Sequence, residues 1–262
     1  MLKQHFPFNM IPRTNKQGSL YYQARFFGES GKPLAAKSYP DCQSWTEAYI
    51  HAKKDISNGT IPQMSKDALK EKKRILTQGD LSTIARITGK KYDRDVLAVL
   101  LGALCGLSVK EVVNLRYEHI NFRAPFLRVM DTDKSRVIRI PRQVMSRIAA
   151  VRDAGLSARY VVPNSSDAEK PCNPITLYRA MENILSLINL DENCHMQFSW
   201  LRYTFVDFLL FRGVEPSIID ILCGYKHLCE ADDAYKIYET LNAAMRAVER
   251  GIISWVQLPW VG

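Results

Sequence analysis

From Ser19 to Phe27 apolar and polar character alternates with a period of two. Leu20, Tyr22, Ala24 and Phe26 fall on one side and Tyr21, Gln23, Arg25 and Phe27 on the other. That alternation, rich in aromatic residues, predicts a strand with the Leu20 set turned to a core. Gly28-Glu29-Ser30-Gly31 supplies a turn, and Pro33–Tyr39 reads as a second strand. The period then becomes helical: Trp45, Ala48, Tyr49, Ala52 and Ile56 share one face, with Ser44 and Glu47 at capping-box spacing and Asn58-Gly59 as the stop.

After a polar, basic stretch (60–76) the helical period dominates. Helices are predicted at Asp80–Ile87, Asp93–Cys105, Val109–Leu115, Arg142–Asp153, Ile175–Ile188, Ser199–Arg212, Pro216–Cys223 and Asp232–Arg250. One exception interrupts them. Phe126–Met130 and Arg136–Ile140 alternate like the arms of a hairpin across Asp131–Ser135. The expected class is therefore α+β: a small N-terminal β-sheet-plus-helix domain (1–60), a linker (61–75), and a mainly α-helical domain (76–262) with a small β-hairpin.

Charge adds a direction. The net charge of the 262 residues is +9. Residues 1–95 hold 17 Lys+Arg against 9 Asp+Glu, and the remainder 19 against 18. A second basic segment runs through Arg116, Arg123, Arg128, Lys134, Arg136, Arg139, Arg142 and Arg147. Localised positive charge on an otherwise balanced chain implies a polyanionic partner, nucleic acid or an acidic membrane face. No apolar run is long enough to span a bilayer, and no signal peptide is recognisable at the start. The six cysteines show no CxxC pair, and Cys194, His195, His227 and Cys229 match no familiar zinc spacing. Free thiols in the cytoplasm, and no metal or organic cofactor, are expected.

Three ordered segments of the larger domain carry a resemblance. They are Cys105-Gly106-Leu107-Ser108-Val109-Lys110-Glu111 with Leu115-Arg116, then Lys134–Pro141, and then Ser199-Trp200-Leu201-Arg202-Tyr203-Thr204-Phe205 followed by Arg212-Gly213-Val214 and Leu222-Cys223-Gly224-Tyr225. Together they resemble the catalytic domain of tyrosine recombinases, the phage integrases. The Tyr21-Tyr22 to Arg25 strand, the Gly31-Lys32 turn and the Glu47-Ala48 helix resemble the arm-type DNA-binding domain that precedes many integrases. No room remains for that family's core-binding domain.

The resemblance implies duplex DNA as partner and site-specific recombination as the family reaction. A tyrosine hydroxyl attacks a phosphodiester, two arginines hold the non-bridging oxygens, and a hairpin lysine protonates the leaving oxygen. On this pattern Arg202 matches the second arginine, and Tyr235 or Tyr238 the nucleophile. Ser108 stands at the first arginine and Ser199 at the first histidine; Asp131 occupies the lysine position with Lys134 close by, and Tyr225 replaces a histidine or tryptophan. Each residue also has a plainer role. Ser108 is a complete N-cap with Glu111, Arg202 can pair with Glu111 in a core, and Tyr225 can be a packed aromatic. Lys134, Arg136 and Arg139 are expected at an exposed hairpin turn on phosphate. Tyr21, Gln23, Arg25 and Lys32 are expected against DNA.

Three functions follow as expectations. The first is a DNA-binding protein without strand transfer that regulates a mobile element or assists an active recombinase. The others are a divergent active recombinase, with the enzyme question left open, and a scaffold that keeps only the fold. Asn242–Trp260 is the candidate segment for homo-oligomer packing.

Overall fold

The computed structural model describes residues 8–27, 33–61, 76–89, 93–130, 136–188, 197–225, 242–243 and 245–246. The chain divides into two compact units, Met1–Arg74 and Ile75–Gly262.

In the first unit, β1 (Phe8–Thr14), β2 (Leu20–Phe27) and β3 (Pro33–Tyr39) form an antiparallel sheet in that order, covered on one face by α1 (Trp45–Ser57). Period-two alternation explains the covered face. Phe8 and Met10 of β1 join Tyr22, Ala24 and Phe26 of β2 against Trp45, Ala48, Tyr49 and Ala52, all buried. Lys37 and Tyr39 of β3 both reach Asp55 of α1, each at 2.7 Å. Leu20, expected in this core, is 55% exposed. It pairs with Thr14 where the two strands run out. The sequence pattern did not reveal β1: Pro12 breaks its strand character, and an edge strand is where a proline without N–H is tolerated.

The second unit is built on α3 (Asp93–Cys105), whose residues 96–105 are all buried. Around it pack α2 (Gln78–Arg86), α4 (Val109–Val113), α5 (Arg142–Asp153), α6 (Pro174–Leu187) and α7 (Ser199–Phe211), with α8 (Pro216–Cys223) on α7. A second antiparallel sheet, β4 (Ile120–Asn121), β5 (Phe126–Val129) and β6 (Arg136–Arg139), leans on α8 through β6. The hairpin therefore gains a two-residue third strand absent from the sequence reading. Its tip, with Asp131 and Lys134, lies outside the described residues, as do Lys32, Tyr235, Tyr238 and the Cys194, His195, His227, Cys229 set. Among the described residues, no helix is long and apolar enough to cross a membrane.

Candidate functional site

Helix α4 starts at Ser108, whose Oγ accepts from Glu111 N at 3.3 Å while Glu111 Oε2 accepts from Ser108 N at 2.7 Å. This reciprocal cap satisfies two amides that a helix start leaves without partners. It also fixes the Glu111 carboxylate, and two arginines converge on it. Arg202 of α7 donates from Nη2 to Oε2 at 2.7 Å, and Arg136 of β6 from Nη1 to Oε1 at 2.6 Å.

Backbone carbonyls lock both guanidinium groups. Arg202 Nε donates to Gly106 O at 2.7 Å, and Arg136 Nε to Leu222 O at 2.8 Å. Two glycines allow the close packing around them. Gly106 adopts φ +65°, and a Cβ there would lie 2.5 Å from Phe205 Cδ1. Gly224 adopts φ +71°, and a Cβ there would lie 2.7 Å from Arg136 Nη1. Tyr225 completes the cluster, with Arg202 Cζ 5.4 Å from its ring centroid.

The electrostatics follow from burial and pairing. Burial alone would raise the Glu111 carboxyl. The Arg136 hydrogen bond, the two guanidinium charges and the Ser108 amide outweigh it and hold the group at about 2. Burial pushes the Cys223 thiol up to about 12 against the opposing charges of Arg202 and Arg136, so it is no thiolate near neutral pH. Burial likewise raises the Tyr225 phenol although Arg202 acts the other way. The cluster thus offers two fixed cations and one fixed carboxylate, and burial disfavours ionisation of Cys223 and Tyr225 beside them.

The expected exposure of Arg136 on a hairpin turn is corrected by these contacts. Its side chain is only 6% exposed. The reason is strand parity: Arg136, Ile138 and Ile140 point inward together, while Val137 and Arg139 point outward. Arg147 is likewise committed inside the protein, holding Asp93 and the carbonyls of Ala85 and Ile87. Arg116 pairs with Glu118 at the surface, and Arg123, Arg128 and Arg142 are exposed. Arg139 lies half-exposed beside the Phe126 ring. Ser199 is exposed at the first turn of α7, where it adds nothing to the cluster's charge.

In the N-terminal unit the sheet face away from α1 presents Tyr21, Gln23 and the exposed Arg25 of β2. Register adds residues that the sequence reading missed. Asn9 lies opposite Arg25, Ile11 opposite Gln23 and Arg13 opposite Tyr21, while Ser38 of β3 flanks Gln23. Cys42, Glu47 and His51 form the one cluster among the described residues whose ligand atoms lie within 4.8 Å of one another. Glu47 Oε2 accepts from Gln43 N there, and burial, Glu47 and Asp41 raise the Cys42 thiol, opposing the thiolate a metal needs.

The family model for phage integrases matches residues 74–240. The chain is 28% identical over 185 residues to the tyrosine recombinase XerA of Pyrococcus horikoshii, covering 63% of this chain and 62% of the relative. It is 29% identical over 181 residues to the tyrosine recombinase XerA of Pyrococcus furiosus, covering 67% and 60%. The chain thus spans about six-tenths of the length of these relatives. Its fold is similar to the crystal structure of XerA recombinase (TM-score 0.52, 14% identity, 82% of this chain and 76% of that one). It is also similar to the integrase from mycobacterium phage Brujita (TM-score 0.53, 13% identity, 80% and 73%).

Proposed function

Because the chain belongs to the phage integrase family, we propose that it is a duplex DNA-binding protein that does not carry out strand transfer. It would serve a mobile element in the cytoplasm as a regulator or as a partner of an active recombinase. The observation that carries this reading is the Glu111 cluster. Where the family pattern has its first arginine, Ser108 is engaged as an N-cap, and the carboxylate beside it already draws on Arg202. Removing even one neutral donor to a transition-state oxyanion costs about 3–4 kcal/mol, a factor of about 10²–10³. Here the imidazole is replaced as well, by Ser199, whose hydroxyl cannot relay a proton near neutral pH. Phosphate held by the remaining cations gives affinity without acceleration, since only extra binding of the transition state speeds the step.

The DNA reading draws on the open face of the first sheet. A β-ribbon fits the major groove, and Asn9, Arg13, Gln23 and Arg25 are side chains able to bond base edges or phosphates. The test is a nicked suicide duplex carrying a site selected from a random library. Binding without a denaturation-resistant adduct is expected. An adduct that disappears in Tyr235→Phe or Tyr238→Phe would establish the protein as an active recombinase instead. No binding to any duplex at low salt would leave only the fold.

A further inference from the structure

We infer that Arg136, not a residue at the start of α4, supplies the second guanidinium of a phosphate-binding site in the larger unit, paired with Arg202 across Glu111. The inference rests on the DNA-binding reading above and names the group that would hold one phosphodiester. Arg136 is 6% exposed, yet among the described residues its Nη2 is buried without a hydrogen-bond partner. Two of its other N–H groups are fixed, Nε on Leu222 O and one from Nη1 on Glu111 Oε1. A buried N–H of a charged group left without an acceptor is costly, and an anion oxygen is the partner that offsets the cost best.

Placement supports the same reading. Arg136 and Arg202 take opposite oxygens of one carboxylate, and that carboxylate is also bonded to the Ser108 amide. A cation carried in by β6 therefore stands beside the position where the resemblance places the first arginine. At Glu111 itself two guanidinium charges face one carboxylate, and the buried Asp220 carboxylate lies near enough to act on Cys223. Gly224 shapes the space, since any Cβ there would meet Arg136 Nη1 at 2.7 Å. A strand residue 25 positions from Glu111 can thus hold ground-state phosphate beside the helix start without altering the cap, while its Nη1 stays on the carboxylate.

Inorganic phosphate is the probe, titrated against chloride at constant ionic strength with the full chain. Line broadening of its ³¹P resonance and the melting temperature are followed together. Saturable binding is expected, with a rise in melting temperature because a ligand selective for the native state stabilises it. Arg136→Gln should weaken phosphate binding roughly 10- to 100-fold, the range for one lost bond to a charged group. Arg136→Lys should recover only part of it, because an ammonium lacks the planar fork. Duplex DNA should displace the phosphate. Equal phosphate affinity in wild type and Arg136→Gln, or in wild type and Arg136→Lys if the glutamine variant does not fold, overturns the assignment. So does wild-type protein without saturable binding; Nη2 then belongs to a buried water. Should duplex binding persist in either case, the proposed function stands and only the role of Arg136 falls. Should duplex binding itself be absent, the functional reading fails first.

Discussion

Glu111 concentrates most of the second unit's electrostatics in one carboxylate. It titrates at about 2 when folded, against an ordinary 4.5. A lowered folded value means that its contribution is complete above about pH 4.5 and disappears as pH falls towards 2. The shift corresponds to something on the order of 3 kcal/mol. Glu111→Gln should therefore flatten the loss of stability across that window, measured by urea midpoints at successive pH values; a slope equal to wild type would mean that Glu111 is not held this way. Gly106 has a different constraint. Gly106→Ala combines φ +65° with a Cβ 2.5 Å from Phe205, so a loss of about 2–4 kcal/mol is expected in denaturant melts. At this scale the sequence spoke unevenly. The Ser108–Glu111 cap was legible, because its spacing alone defines it. The surface position expected for Arg136 gives way because its parity with Ile138 and Ile140 turns it inward despite its charge.

Elements were more legible than side chains, for a physical reason. The longer helices carry apolar stripes, and α1, α2, α4 and α6 begin on side-chain caps, features that local sequence encodes. Strand β1 carries Pro12 and only two buried side chains, Phe8 and Met10, so its strand character comes from pairing with β2. Pairing across distance is what one sequence does not spell out. Two outcomes belong to this scale. Ser108→Ala should remove the α4 cap and cost about 1 kcal/mol in a denaturant midpoint; no change would show that the Glu111 pairs alone hold α4. On the open sheet, Arg25 stands between Asn9 and Ala36 and is exposed. If it reads a base edge, Arg25→Ala should relax sequence preference at one position by about 1–3 kcal/mol. Uniform weakening over all sequences would make Arg25 a phosphate contact and remove the groove assignment.

For the whole molecule the question is which charges remain available to a polyanion. The net charge of +9 overstates the exposed ones in the larger unit, where Arg147 is held by Asp93 and Arg136 and Arg202 share the Glu111 carboxylate. In the N-terminal unit Lys37 is paired with Asp55, whereas Arg25 stands exposed on the open sheet with Arg13 across the register of β1 and β2. Duplex DNA affinity should therefore fall steeply with salt, because each neutralised phosphate releases condensed counterions. The slope of log K against log salt counts those phosphates at about 0.9 per contact. Replacing Arg13 and Arg25 together by alanine should reduce its magnitude by about 1–2 if these side chains meet phosphates. Removing an internally paired arginine such as Arg147 should leave the slope as it was, though it lowers stability by breaking a partly buried pair. Fluorescence anisotropy of one labelled duplex at several salt concentrations separates the outcomes. An unchanged slope in the Arg13, Arg25 double variant would move the phosphate contacts off this sheet and onto other basic residues of the chain.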